Sequence, residues 1–257
     1  MTVTAEQVSS LRKRTGVGLM AVKSALEEAG GDEEKAIAIL RKRGQAQAVK
    51  KADRDQKEGS IFIESDDKKA AIVHLACETD FVARGDDFQN AGKALVKMAL
   101  EKGVDAAKKH AEEIMPDLVN KLGENITLFD LKVVEGGTLG TYVHSNSKIG
   151  VVIALEGGDE TKSKDVAMHA AAMAPVVISP EEVSTELVEK EKDIWRDQLK
   201  KEGKPEAMFD KIMIGKEKKF REESALVKQP FAKDQAVSVE QYLNGAKVKS
   251  YVRFSVA

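Results

Sequence analysis

The sequence predicts an α+β protein of several domains: an N-terminal three-helix domain, two related α+β core subdomains and an inserted helical hairpin. Three observations predict this organisation. The first 54 residues show helical periodicity interrupted by glycines. Strand-like alternation begins at Gly59 and returns after Gly137, and residues 179–225 are highly charged and helical in pattern. The 257 residues, 42% of them apolar, suffice for a sizeable core and about two domains or more.

Residues 1–54 are predicted to form three helices followed by a linker. A capping box begins the first helix at Thr4, and glycines separate the first helix from the second and the second from the third. Asp32 caps the third helix, and two glutamates follow it in the positively polarised first turn. We expect this helix to end at Gly44 and a polar helical extension or linker to follow.

Two related subdomains are predicted, one at 55–136 and one formed by 137–178 together with 226–257. Each begins with a strand hairpin that is followed by an alanine-rich helix. The two glycines that open these hairpins are 78 residues apart, which indicates an internal repeat. A final alternating run at 247–256 is expected to return to the second subdomain.

Residues 179–225 are predicted to form a helical hairpin. Ser179 with the Pro-Glu-Glu that follows is typical of a capped helix start, and Gly203 precedes a second helix at 206–220. Apolar residues that can form the seam or a partner surface are Val183, Leu187, Ile194, Leu199, Met208, Ile212 and Phe220. Three more, Trp195, Phe209 and Met213, compete for inward positions. We therefore expect a monomer with some leftover apolar surface, and a homodimer through the hairpin as the alternative.

Charge and hydropathy exclude several functional classes. The 41 basic and 43 acidic residues leave a net charge of −2, so bulk electrostatics give no reason for direct nucleic-acid binding. No run approaches the ~18 apolar residues that a membrane span needs, and the first residues lack a signal-peptide core. A single cysteine fits a reducing compartment. We expect a cytoplasmic protein without membrane association.

Catalytic and metal-binding patterns are weak. The four histidines are far apart, without the i, i+4 spacing of a helical zinc site, so we expect no metal or cofactor. Cys77 could act as a nucleophile with a distant histidine, but a lone cysteine after a strand is more often a buried apolar residue. We therefore expect a protein without enzymatic activity.

The segment 77–84 is the most unusual candidate site. It lies between the first predicted hairpin and the next helix, and it places an aromatic residue beside a carboxylate. Residue types alone leave two interpretations open. In one, Thr79 or Asp80 caps a short turn and Phe81 fills the core; in the other, Phe81 is presented to solvent.

Several segments in this order resemble bacterial translation elongation factor Ts, the guanine nucleotide exchange factor of the GTPase elongation factor Tu. The matching segments are LRKRTGVGLMAVKSALEEAGGDEEKAIAILRKRG at 11–44, CETDFVAR at 77–84, KLGENI at 121–126, GTYVHSNSKIGV at 140–151, MHAAAMAP at 168–175, GKP at 203–205 and QPFAKD at 229–234. The resemblance implies a ubiquitin-associated-like N-terminal domain, a two-part core and a hairpin that some members use to dimerise. It also implies nucleotide exchange without covalent chemistry.

The resemblance further implies a set of site residues. Partner-binding and exchange roles fall on Met20, Lys23, Thr79, Asp80, Phe81, Val82, Leu122, Gly123, His144, Ala232 and Lys233. In the family, the aspartate and phenylalanine matched by Asp80 and Phe81 enter the GTPase domain beside its magnesium site. The pair matched by Leu122 and Gly123 lies close to where the phosphate loop is disturbed.

Some features of the chain depart from the family pattern. Ala232 and Lys233 are less apolar than the residues of some relatives, which weakens a hydrophobic contact there. The chain ends just after the last core strand, so we expect it to lack the C-terminal helical module of some members. Without the resemblance, Lys23 would be a solvated helix residue and His144 a polar residue on a hairpin. A passive scaffold and a Cys77-dependent enzyme are the competing functions.

Overall fold

A computed structural model describes residues 3–256. The helices are α1 (Ala5–Thr15), α2 (Leu19–Glu28), α3 (Glu33–Lys51), α4 (Asp80–Arg84), α5 (Asp86–Lys102), α6 (Val104–Leu122), α7 (Glu160–Met173), α8 (Thr185–Lys201), α9 (Phe209–Ser224) and α10 (Val239–Leu243). The strands are β1 (Glu58–Ser65), β2 (Lys69–Cys77), β3 (Thr127–Glu135), β4 (Thr138–Val143), β5 (Ile149–Glu156), β6 (Pro230–Phe231), β7 (Asp234–Ser238) and β8 (Lys247–Ser255). Within residues 3–256, no helix is both long and apolar enough to cross a membrane.

The first three helices enclose a small apolar core of their own. Leu11, Val22 and Leu26 are fully buried there. The capping box at Thr4 and the Asp32 cap are both formed, which satisfies backbone N–H groups at the starts of α1 and α3. The helix boundaries predicted from these caps are therefore confirmed at their N-terminal ends.

The predicted end of the third helix at Gly44 is wrong, because α3 continues to Lys51; of the two alternatives for the residues after Gly44, the helical extension is confirmed over 45–51. Gly44 is buried where α3 crosses α6, and a Cβ there would lie 2.9 Å from the carbonyl oxygen of Pro116. The glycine permits close helix packing rather than terminating the helix. One turn later, Ala48 packs against the core formed by α5, α6 and the first sheet. The extension of α3 thus joins the N-terminal helices to the rest of the chain.

Two three-stranded antiparallel sheets follow, in the orders β1-β2-β3 and β4-β5-β8. In both, a hairpin is completed by a third strand that pairs with its second strand, and the pairing contains one register shift. The first sheet packs against α5 and α6 around Phe88 and Leu95, and the second against α7 and α10 around Leu155 and Phe231. The final strand pairs with β5, as the alternation predicted.

The remaining faces of the two sheets pack together. Ile61 and Ile72 of the first sheet share an apolar cluster with Val152 and Phe254 of the second. The backbone N–H of Ile61 also donates to the carbonyl of Ser147, 2.7 Å away, in the turn between β4 and β5. This contact fixes the turn of the second sheet against the first strand of the first sheet.

The charged segment forms the predicted antiparallel pair, but its first helix starts later than predicted. Ser179 and the residues after it form only a short 3-10 turn, because the Glu182 side chain folds back and accepts hydrogen bonds from the Ser179 hydroxyl and the Ile178 N–H. Ser184 caps α8 instead, by accepting from the N–H of Leu187.

Only some of the competing apolar residues lie in the hairpin seam. Trp195, Leu199 and Met213 are buried between α8 and α9, and the Trp195 ring meets Phe220 edge-on. Ile194 and Met208, both expected as seam candidates, are about half exposed instead. The large indole takes the inward position, so its neighbour Ile194 turns toward solvent.

Candidate functional site

Phe81 projects into solvent from the short helix α4. Its exposed fraction is 84%, so the interpretation in which it fills the core is wrong. Thr79 caps the helix, and its hydroxyl accepts a hydrogen bond from the N–H of Val82 at 3.4 Å. Ala83, on the opposite side of α4, is buried in the core of the first subdomain. The helix is therefore anchored by one face and presents the aromatic side chain on the other.

Asp80 precedes this aromatic side chain and is partly exposed. Its carboxylate forms an ion pair with Arg84 one turn later, with 2.9 Å between Arg84 Nη2 and Asp80 Oδ2. Both side chains are substantially accessible, so the pair contributes about 0–1 kcal/mol and can be broken at little cost. Asp80 is thus available to a partner that approaches Phe81.

Leu122 and Gly123 lie beside α4, although they are about 40 residues away in sequence. Leu122 ends α6 and packs against the first core, while Gly123 has the left-handed φ of +80° that stops the helix. The next residue, Glu124, accepts hydrogen bonds from the N–H groups of Glu78 and Thr79. These bonds bring the two predicted segments together into one surface.

Glu124, which joins these two segments, was not among the residues predicted from the sequence. Its partners lie more than 40 residues away, so no local pattern identifies them. The local signal is its place directly after Gly123, the glycine that ends α6. The resemblance covered this position only as part of the KLGENI segment.

His144 lies on the adjacent turn of the second sheet. Its Nδ1 is 3.0 Å from the Tyr142 hydroxyl, and its ring is exposed. The three residues after it line a groove of about 380 Å³ together with Asp80 and Arg84. Lys148 closes one end of this turn through a 2.6 Å ion pair with Glu58. The structure thus places the His144 turn next to α4.

The other four predicted residues lie on different elements. Met20 is 72% exposed at the start of α2, and Lys23, on the same helix, faces Glu27 at 3.8 Å. Ala232 and Lys233 form the exposed connection between β6 and β7. The structure therefore separates the predicted residues into one cluster around α4 and two outlying positions.

Buried groups hold the β6–β7 connection. The backbone N–H of Ala232 donates to Nδ1 of His169 at 3.1 Å, and Nε2 of the same ring lies 3.0 Å from the Gln229 side-chain oxygen. Lys233 pairs with Asp165 at 2.6 Å. Burial lowers the pKa of His169, although the Gln229 hydrogen bond opposes this. A neutral imidazole fits these contacts, because Nδ1 can accept the hydrogen bond from the Ala232 N–H only when it carries no proton.

Cys77 lies at the end of β2, beneath the surface formed by α4 and the loop at 123–124. It is fully buried, and its thiol donates to the carbonyl of Thr79 at 3.2 Å. Burial, reinforced by the Glu124 carboxylate, raises the pKa of Cys77 to about 12. A thiol in this state carries almost no thiolate near neutral pH, which disfavours a nucleophilic role. Among residues 3–256, no group of three or more His, Cys, Asp and Glu side chains is arranged to hold a metal ion.

Comparisons with known proteins show the family of the chain. The family model described as Elongation factor TS matches residues 78–257. The chain is 43% identical to an elongation factor Ts of Deinococcus deserti, with 98% of both chains covered. It is 42% identical to one of Idiomarina loihiensis, covering all of this chain and 91% of the relative, and 45% identical to one of Francisella tularensis subsp. novicida, covering 99% and 92%. With a family model matched over more than half its length and relatives of this identity along nearly all of it, the chain belongs to the elongation factor Ts family of translation factors.

Proposed function

We propose that the chain is a guanine nucleotide exchange factor that binds GDP-bound elongation factor Tu and promotes GDP release, which allows GTP to rebind. Family membership supports the partner. The observation that carries the mechanism is the exposure of Phe81 on a capped helix next to an accessible carboxylate. A large aromatic side chain held in solvent suits insertion into a partner pocket.

The proposed mechanism disturbs the site that holds magnesium and phosphate. Mg²⁺ requires near-octahedral geometry, so small displacements of its surroundings weaken nucleotide binding strongly. Phe81 would pack between side chains of the GTPase domain, and Asp80 would bring negative charge toward the metal and phosphates. Each tenfold loss of GDP affinity corresponds to about 1.4 kcal/mol, so a few differential contacts suffice. The coupling is reciprocal, because a nucleotide that rebinds must weaken the factor equally. No covalent bond forms or breaks.

The clustered residues would act together in this mechanism. Thr79 and Val82 hold the helix that carries the aromatic side chain, while Leu122 and Gly123 would contact the region of the phosphate loop. His144 would extend the contact from the neighbouring turn. The hydrogen bonds from Glu78 and Thr79 to Glu124, and the groove that Asp80 and Arg84 share with the turn after His144, support this assignment.

The outlying residues would provide separate docking contacts. Met20 and Lys23 would bind the partner through the N-terminal helices, and the exposure of Met20 supports this. Ala232 and Lys233 would form a smaller contact from the second subdomain. Separate docking and exchange contacts allow affinity and maximal rate to change independently.

The proposal includes a division of the chain into domains. A ubiquitin-associated-like domain and linker would span 1–54, and the core subdomains would span 55–136 and 137–178 with 226–257. The hairpin would span 179–225. Distinct apolar clusters support these units. We further propose a cytoplasmic monomer that uses no cofactor and makes no direct contact with nucleic acid.

Release of fluorescent GDP from purified elongation factor Tu tests this function. We expect the chain to accelerate release in a saturable manner, and the Cys77→Ser variant to behave like the unmodified chain. A passive scaffold would bind without changing the release rate. A cysteine-dependent enzyme would lose its effect in Cys77→Ser. Either of these results would contradict the proposed exchange function.

A further inference from the structure

We propose that Glu124 is a positioning residue that holds α4 in place before the partner binds. Glu124 accepts hydrogen bonds from the loop at 78–79, and Glu78 accepts one from the loop at 124–125. We call this pair of contacts the carboxylate clasp. The inference deepens the proposed function and rests on it, because the clasp would matter through the side chains that α4 presents. It concerns residues that do not themselves need to touch the GTPase.

The first arm of the clasp is the Glu124 carboxylate. Its Oε2 accepts from the backbone N–H of Glu78 at 3.1 Å and from that of Thr79 at 3.0 Å. Its Oε1 accepts from the Thr79 hydroxyl at 2.5 Å. One side chain therefore satisfies three donors of a loop that lies 45 residues earlier in the chain. Hydrogen bonds to an ionised carboxylate are among the stronger ones in proteins.

Thr79 transmits this contact to α4. Its hydroxyl hydrogen is directed to Glu124, which leaves an oxygen lone pair free to accept from the N–H of Val82. This is the capping bond at the start of the helix. Loss of the Glu124 carboxylate would free the hydroxyl to rotate and would leave two backbone N–H groups without their acceptor.

The second arm of the clasp runs in the opposite direction. Glu78 accepts from the backbone N–H of Asn125 at 2.7 Å and lies 3.4 Å from Arg54 Nη1. Asn125 is buried, and its side-chain amide donates to the carbonyls of Ala52 and Arg54, both at 3.2 Å. The loop that holds Glu124 is therefore itself fixed by the segment that follows α3.

The size of α4 explains why it needs such support. A five-residue helix is far shorter than the ~12–15 residues at which isolated helices become even marginally stable. Phe81 is directed to solvent, so its own side chain adds little packing against the core. Prior ordering reduces the conformational entropy that binding would otherwise cost. The clasp thus lets Phe81 and Asp80 meet a partner in a fixed arrangement.

Two conservative substitutions separate positioning from charge. Glu124→Gln keeps the length of the side chain and one acceptor oxygen but removes the charge. Glu124→Asp keeps the charge but shortens the reach by one methylene, so it cannot bond all three donors. If Glu124 positions α4, the Gln variant should release GDP within about threefold of the unmodified chain, and the Asp variant should be about tenfold slower at saturation. If the Gln variant instead releases GDP more slowly than the Asp variant, Glu124 acts on the partner through its charge, and the inference is overturned.

Amide hydrogen exchange of the free chain supplies a readout independent of the GTPase. We expect Glu124→Asp to speed exchange in the segment 78–85 and to leave α5 and the second sheet unchanged. Glu112→Ala is the matched control, because Glu112 is an exposed carboxylate on α6. Faster exchange spread over the whole chain in Glu124→Asp would indicate a general stability effect and would overturn the inference.

The double variant distinguishes failure of this inference from failure of the proposed function. If Glu124 acts through α4, Glu124→Asp should slow GDP release by a smaller factor in the Phe81→Ala chain than in the unmodified chain, because only Asp80 then remains to be positioned. A normal rate for Glu124→Asp beside a slow Phe81→Ala would refute the clasp but leave the proposed function intact. A normal rate for Phe81→Ala would refute the mechanism proposed for the exchange function, and the inference with it.

Discussion

Arg84 Nη2 lies 2.9 Å from the Asp80 carboxylate, so the charge next to Phe81 is paired in the free chain. The two residues are one helical turn apart on α4 and share its exposed side. A partner cation can compete for the carboxylate at little cost, because the Arg84 side chain is 81% exposed and screened by water. The ion pair therefore orients the Asp80 carboxylate, and a cation of the partner can replace Arg84 in it.

Substitutions of this pair should have unequal effects. Asp80→Asn removes the charge that would approach the magnesium site, and we expect it to slow GDP release several-fold. Arg84→Ala should not slow release, because it leaves that charge in place. Both should change the free energy of unfolding by less than about 1 kcal/mol in urea titrations. Equal slowing by both variants would show that the ion pair, rather than the carboxylate, is required.

Met20→Ala should weaken docking without lowering the maximal rate of GDP release. The side chain is 72% exposed, so truncation should leave the fold intact. We expect a higher half-saturating concentration of the chain in the release assay. Val49→Ala, at a similarly exposed residue of α3, is the matched control. A reduced maximal rate with an unchanged half-saturating concentration would contradict separate docking and exchange contacts.

Replacement of residues 185–220 by a short glycine-serine linker should preserve most of the exchange activity. The ends of the hairpin are close together, because the N–H of Val176 donates to the carbonyl of Ser224 at 2.9 Å and Arg221 Nη1 donates to the carbonyl of Val183 at 2.9 Å. We also expect the full chain to be a monomer at micromolar concentration in light scattering. A stable dimer, or a folded linker variant without activity, would contradict this prediction.

Stability should fall on mild acidification because of two buried histidines. Burial lowers the pKa of both His74 and His169 in the folded chain. The unfolded chain therefore binds more protons below about pH 6.5, so the free energy of unfolding is highest above that pH and falls as the pH approaches the folded pKa values. Urea titrations at pH 7.5 and 5.5 measure this slope.

His169→Gln should flatten this dependence on pH, even if it lowers stability at both values. Val166→Ala, at a buried residue of α7 without a titratable group, controls for lost stability and should leave the slope unchanged. An equal slope in His169→Gln and the unmodified chain would show that this ring does not contribute.

Local sequence patterns predicted the elements whose determinants are themselves local. The caps at Thr4 and Asp32 and the two strand hairpins were visible because the interacting residues are a few positions apart. The end of α3 was not, because Gly44 is explained only by the carbonyl of Pro116 on another helix. Likewise, the choice of Trp195 over Ile194 for the hairpin seam depends on how α8 faces α9.

The candidate site was predicted only in part. Residue types left the exposure of Phe81 undecided, and the resemblance to the family favoured the exposed arrangement. Glu124 was not singled out, since its donors belong to a loop 45 residues earlier. Long-range hydrogen bonds of this kind leave no periodic trace in a sequence.

Phe81→Ala tests whether this side chain promotes exchange from the surface of the protein. Two other phenylalanines provide matched controls. Phe129 is 69% exposed on β3, and Phe88 is fully buried. Phe88→Ala should cost ~3–5 kcal/mol of stability, whereas Phe81→Ala and Phe129→Ala should cost much less.

The decisive measurement is the saturating rate of fluorescent GDP release from elongation factor Tu per folded molecule of each variant. We expect Phe81→Ala to be slower than the unmodified chain by at least about tenfold while its melting temperature is nearly unchanged, and Phe129→Ala to release GDP at the unmodified rate. An unchanged release rate in a folded Phe81→Ala variant would contradict this expectation.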